Sequence, residues 1–83
     1  MTKPIKVKMF TKTICPTCKV AKQQLSFLPV PVEIEEFNIE ENESHMHYLT
    51  VELESMSTPT FEFESGRIVR GFELGEIMEE LGL

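Results

Sequence analysis

Residues 11–22 read TKTICPTCKVAK and hold both cysteines of the chain, Cys15 and Cys18, with Pro16 and Thr17 between them. Upstream, IKVKMF (5–10) alternates Ile5, Val7 and Met9 with Lys6, Lys8 and Phe10, which is strand periodicity. Downstream, Pro16 suits the first position of a helix. Ala21, Leu25 and Leu28 then recur at helical spacing among lysines and glutamines, and Pro29 and Pro31 end the run. The cysteine pair therefore stands where a strand passes through a short connection into a helix N-terminus.

Working outward, VEIEEFNI (32–39) reads as a second strand. Val32 and Ile34 share one face while Phe37 and Ile39 fall in the opposite phase, so a bulge near Glu35–Glu36 is expected. Over 40–56, Met46, Leu49 and Leu53 fit a helical stripe with Asn42 or Ser44 as its cap. TFEFES (60–65) alternates Phe61 and Phe63 with polar partners. Ser65–Gly66 marks a tight turn, and RIVRG (67–71) follows as the return strand. Leu74, Ile77, Met78 and Leu81 occupy one face of a last helix that Gly82 caps. The order is βαβαββα. A parallel, right-handed first βαβ unit and a terminal antiparallel hairpin give an α/β fold, a mixed four-stranded sheet with helices on both faces. Lys6 and Lys8 sit awkwardly on a strand that should be central, unless their stems lie on a partly open face.

Length and composition set the outer limits. Eighty-three residues, 41% hydrophobic and 27% charged, are expected to form a single globular domain, 1–83, with one modest core. No apolar run approaches a membrane span, and MTKPIKVKMF lacks the apolar stretch of a signal peptide. The expectation is a cytoplasmic, monomeric protein in a reducing compartment. Residues 1–32 carry six lysines and no acid, whereas 33–83 carry all 14 glutamates against Arg67 and Arg70, for a net charge of −6. Such a balance excludes an ordinary nucleic-acid binder. The split along the chain need not be a split in space, since both halves can interleave in one fold.

Three readings of the cysteine pair compete. As a structural staple it would close a loop of four residues, worth only about 2 kcal/mol in the chain-entropy model. As a metal site it would need further ligands. His45 and His47 are available, but residues two apart on a helix point to different faces, and solvated helix positions explain them better. A metal- or iron–sulfur-binding module is the alternative kept. As a reactive couple the pair is well placed. Cys15 falls at the helix N-cap, where its sulfur can accept from the free amides of Thr17 and Cys18, and the helix dipole adds roughly half a positive charge. Lys12 can add more. All three favour the thiolate, so the Cys15 pKa should lie below that of a free thiol. Cys18, one turn in, is then the resolving thiol. A C-x-x-C beside a βαβ unit is itself a redox signal.

Three segments together, MFTKTICPTCKVAKQQL, STPTFEF and RGFELGEIMEEL, resemble the thioredoxin superfamily and, more narrowly, small glutaredoxins and NrdH-type redoxins. The resemblance implies a thioredoxin-like fold and a dithiol–disulfide oxidoreductase with Cys15 and Cys18 as its catalytic pair and no bound cofactor. It implies that Pro59, after Thr58, is a cis-proline facing the cysteines, with the backbone at Thr58 pairing with substrate. Lys12 matches the family lysine, and Pro16, Thr17, Gly71 and Phe72 fall in the partner- or glutathione-binding rim. Disulfide-containing proteins are the implied clients, ribonucleotide reductase among them. The electron donor is thioredoxin reductase or glutathione. Where glutaredoxins carry a glycine pair, an aromatic and an acid, this chain has Arg70, Gly71, Phe72 and Glu73, which leans toward the NrdH-type pattern.

Overall fold

The computed structural model describes residues 4–83. Strand β1 (Ile5–Thr11) leads into helix α1 (Pro16–Ser26), β2 (Val32–Asn38) and a short α2 (Glu43–His47). A π-helical turn (Tyr48–Glu52), β3 (Thr60–Phe63), β4 (Ile68–Arg70) and α3 (Leu74–Glu80) complete the order. The sheet runs β2-β1-β3-β4, with β1 parallel to β2 and antiparallel to β3, and β3 antiparallel to β4. This is the expected mixed four-stranded α/β architecture.

Two apolar clusters lie on opposite faces of the sheet. Val7, Met9, Phe61, Phe63 and Val69 meet Cys18, Ala21 and Leu25 of α1 and Ile77 of α3, with Leu81 just beyond it. On the other face Phe10 meets Leu49 and Leu53, with Phe37, Ile39, Tyr48 and Ile68 packed against them. The two cores remove the need for a bulge in β2. Its register with β1 runs unbroken from Ile5↔Val32 to Thr11↔Asn38. Val32 and Ile34 face the first core, Phe37 and Ile39 the second, so the apolar phase switches because the buried face switches.

The segment 40–56 departs further from expectation. Asn42 caps it, accepting from the Ser44 amide at 2.9 Å, but the regular helix is only Glu43–His47. The chain then widens, the Leu53 amide reaching the Tyr48 carbonyl at 3.1 Å, and Leu49 and Leu53 are buried while Met46 stays exposed. Glu54, in the left-handed region at φ 49°, ends the turn. At the C-terminus Gly82 (φ 78°) closes α3, its amide bonding to Glu79 and that of Leu83 to Met78. That is the double closure an αL glycine allows.

Because α2 and its π turn are short, they cover only the part of their face around Phe10. The remainder is an open groove of about 700 Å³ lined in part by Lys6, Lys8, Glu33, Glu35, Glu62 and Glu64. In register, Lys6 stands beside Glu33, and Lys8 stands between Glu35 and Glu62. Lys8 also places its ammonium 5.9 Å from the centre of the Tyr48 ring. This is how a central strand tolerates two lysines. Tyr48 donates to both oxygens of Glu62 at 2.7 and 2.9 Å, which ties the π turn to β3 and holds its phenol above the ordinary value. No helix among the described residues is long and apolar enough to cross a membrane.

Helix α1 is fastened to β2 through Glu36. Lys22 Nζ lies 3.0 Å from Glu36 Oε1, and the buried Thr11 hydroxyl donates to Oε2 at 2.8 Å. The Lys22 bond leads in holding the carboxyl below its ordinary value of 4.5, with Thr11 assisting and partial burial opposing. A depressed folded-state pKa contributes stability that is present above the unfolded value and lost as pH falls through the folded one. Glu36→Gln is therefore expected to flatten the decline in stability below about pH 4.5, with little change in slope above it. Both side chains are about two-fifths exposed, so the difference should stay under about 1 kcal/mol. Urea denaturation at a series of pH values checks it; an unchanged acid limb would remove Glu36 from the account.

Candidate functional site

The site is built where β1 ends. The Ile39 amide donates to the Thr11 carbonyl at 2.8 Å, and the Thr13 amide donates to Glu40 Oε1 at 2.7 Å. These bonds hold the connection that delivers Cys15 to the N-cap of α1. There the Cys18 amide donates to Cys15 Sγ at 3.2 Å. Only this one of the two expected amide bonds forms; no bond from the Thr17 amide to the sulfur is found. Pro16 occupies the first helical position, and both Pro16 and Thr17 are exposed.

Cys15 and Cys18 are joined as a disulfide, their Cα atoms 5.2 Å apart. As whole residues they are 5% and 3% exposed, so Cys18 is scarcely the deeper of the two in this oxidised form. The difference between them is one of hydrogen bonding rather than access: the cap bond falls on Cys15.

The facing wall comes from the loop before β3. The Thr58–Pro59 peptide bond is cis. Pro59 is buried, Thr58 half-buried, and Thr58 Oγ1 lies 3.7 Å from Cys15 Sγ. The Gly71 amide donates to the Pro59 carbonyl at 2.8 Å, which brings the third sequence segment to the other two. Gly71 adopts φ 82°, and nothing lies within 4 Å of where a Cβ would stand. Its requirement is conformational, not spatial. Phe72, half-buried, packs on the first core.

Lys12 is exposed and shares a shallow groove of about 530 Å³ with Thr13, Ile14, Ile39, Glu40 and Met46. No hydrogen bond or ion pair joins it to Cys15 among the described residues. The larger groove, on the open sheet face, contains neither cysteine. Ile14, next to Cys15, and Met56, two residues before Thr58, are 80% and 87% exposed. Exposed apolar side chains thus stand on both segments that carry the site, Ile14 beside Cys15 and Met56 just before the cis-proline loop.

The histidines do not join the cysteines. His47 is exposed, but His45 is not the solvated residue expected. Its ring packs edge-on to Phe37 at 4.8 Å, and its Nδ1 is buried without a partner. No cluster of three or more potential metal ligands occurs among the described residues.

Sequence reasoning passed over the groups that hold the facing loop. Ser55 and Thr60 are 3% and 0% exposed. The Thr60 hydroxyl donates to the Ser57 carbonyl at 2.6 Å, its oxygen lies 2.9 Å from Ser55 Oγ, and the Ser57 amide donates to Ser55 Oγ at 3.2 Å. From β4, Arg70 Nη2 donates to the Leu53 carbonyl at 2.9 Å. The hydroxyl density of SMSTPT (55–60) was the available signal.

The glutaredoxin family model matches residues 7–64. The crystal structure of the thioredoxin-like protein BC3987 superimposes with a TM-score of 0.78 at 27% identity, over 88% of this chain and 96% of that one. A point mutant of the same protein gives 0.80 at 27% identity, over 90% and 97%. The crystal structure of the glutaredoxin from Methanosarcina mazei Go1 gives 0.75 at 22% identity, over 99% and 85%, a likeness of fold. No curated protein sequence matches the chain.

Thr60 is the hub of the loop network, so Thr60→Val removes the donor to the Ser57 carbonyl and the buried partner of the Ser55 hydroxyl. The expected cost is about 1–3 kcal/mol, read as a lower urea midpoint. A midpoint equal to the parent's would mean that the loop is held without this network.

Proposed function

The chain belongs to the glutaredoxin family of thiol–disulfide oxidoreductases, and we propose that it is a dithiol reductant of protein disulfides in which Cys15 attacks and Cys18 resolves. One observation carries the assignment: the sulfur of Cys15, not that of Cys18, caps α1 and accepts the Cys18 amide at 3.2 Å. A thiolate at that position keeps the cap bond and gains from the positive end of the helix.

The cycle runs in two exchanges. The Cys15 thiolate forms a bond to one sulfur of the client disulfide. The client S–S bond breaks, and its second sulfur leaves as a thiolate that takes a proton from solvent. Cys18, deprotonated, then attacks Cys15 Sγ. The mixed disulfide breaks, the first client sulfur leaves and is protonated, and Cys15–Cys18 is the product. Two electrons and two protons pass from the pair to the client. The cis Thr58–Pro59 step supplies backbone beside Cys15 for an extended client segment, and Gly71 and Phe72 complete the rim. The exposed Ile14 and Met56 favour a protein client over a small polar one. Lys12 contributes long-range field.

The electrons that restore the dithiol come from thioredoxin reductase or from glutathione. Residue 70 favours the reductase. Where the glutathione-using pattern has a glycine, this chain has Arg70, whose guanidinium donates to the Leu53 carbonyl. Client reduction, with ribonucleotide reductase as one candidate client, belongs to the same reading.

Cys15→Ser is expected to abolish insulin reduction in the presence of dithiothreitol, whereas Cys18→Ser should trap a mixed disulfide with the client. A Cys15→Ser protein as active as the parent would overturn the mechanism. For the donor, NADPH oxidation is compared with thioredoxin reductase on one side and glutathione plus glutathione reductase on the other. Faster turnover with the first supports the reading, and faster turnover with the second reverses it.

A further inference from the structure

The function proposed above uses Thr58 for its backbone alone. The side chain has a contact of its own, with Thr58 Oγ1 3.7 Å from Cys15 Sγ. A disulfide sulfur carries no proton, so the hydroxyl donates and the sulfur accepts. The donor is also held in place. Two residues on, Thr60 fastens the Ser57 carbonyl and the Ser55 hydroxyl. One residue on, the Pro59 carbonyl is tied to the Gly71 amide. Five residues back, Arg70 secures the Leu53 carbonyl. The loop is thus bonded on both sides of Thr58.

We propose that the Thr58 hydroxyl is a catalytic group: the second hydrogen-bond donor to Cys15 Sγ, beside the Cys18 amide, stabilising the negative charge that this sulfur carries as nucleophile and as leaving group. The neutral sulfur of a disulfide is a weak acceptor, which fits a contact as long as 3.7 Å. On reduction the same sulfur carries a full charge, and a hydroxyl already aimed at it makes a charge-assisted bond. Thr58 transfers no proton. In the client reaction it favours the Cys15 thiolate before attack. In regeneration, a donor thiolate attacks Cys15 Sγ, the Cys15–Cys18 bond breaks and Cys18 leaves as a thiolate that takes a proton from solvent. A second donor thiolate then attacks the donor sulfur of this mixed disulfide, forming the donor disulfide. The bond to Cys15 breaks, and its electron pair stays on the Cys15 sulfur, where Thr58 and the Cys18 amide receive it. The two donors come from different elements, α1 and the loop before β3, so the charge is stabilised only when both are assembled around the sulfur.

The proposal rests on Cys15 being the attacking thiol, and its test reads the two claims separately. Reduced protein is alkylated with iodoacetamide across a pH series, and the modified peptides give the titration of Cys15 and of Cys18 individually. Thr58→Val keeps the branched shape and removes the hydroxyl; Thr58→Ser keeps the hydroxyl. Removing the hydroxyl should move the Cys15 midpoint up by about one pH unit, and Ser should return it to the parent value. A Val midpoint equal to the parent's, or equal shifts in Val and Ser, overturns the proposal; the second outcome would assign the effect to packing. If Thr58→Val does not fold by circular dichroism, Thr58→Ala against Thr58→Ser makes the same comparison. Faster alkylation of Cys18 than of Cys15 would count against the attacking role of Cys15, while the shift at Cys15 still decides the role of Thr58.

Discussion

The N-terminus of α1 needs an acceptor, and the side chain that supplies it is a cysteine. Oxygen side chains fill this position in most helices because they accept well while neutral. Sulfur accepts well chiefly when charged. In the proposed mechanism the cap therefore links local folding to redox chemistry, since the state that best satisfies the Cys18 amide is the state proposed to attack disulfides. The rest of the structure serves that atom. The core under α1 sets the height of the helix, the bonds to Thr13 and Ile39 set the loop before it, and the cis-proline loop closes over it from the far side.

The cysteine pair and Pro16 were legible because their chemistry is local, a cap position and a first helical turn, whereas the cis-proline at Pro59 was legible only through the resemblance of STPTFEF to the family pattern. Strand and helix order followed from periodicity. What escaped the sequence depended on tertiary context. The phase change in β2 has the look of a bulge until one sees that the strand is buried on different faces along its length. The stripe Met46–Leu49–Leu53 has helical spacing, yet the turn that carries it is widened to set Leu49 and Leu53 against Phe10, and Met46 is left outside. Lys6 and Lys8 look misplaced on a central strand until the shortness of α2 leaves them an open face lined with glutamates. The hydroxyl density of SMSTPT marks the loop, but the specific roles of Ser55 and Thr60 depend on partners that only the fold supplies.

Arg70 illustrates how one substitution can alter two properties together. It brings a guanidinium where the glutathione-using pattern has a small residue, and it braces the loop that carries Thr58. If residue 70 sets donor preference as proposed, a change there also alters the bond that holds the Leu53 carbonyl. Comparisons of donor preference among related chains should consider the partner of residue 70 as well as its size.

The bonds that hold the presenting loop have a further property. Ser55, Ser57, Thr58 and Thr60 contribute neutral hydroxyls and backbone groups, and Arg70 contributes a hydrogen bond to the Leu53 carbonyl. Hydroxyls and backbone amides do not change protonation between mildly acidic and mildly alkaline solution. The wall facing the sulfur is held by hydroxyls and backbone groups rather than by carboxylates or imidazoles. The hydroxyl and backbone bonds that hold the presenting loop therefore add no ionisation of their own to a pH–rate curve recorded on this protein.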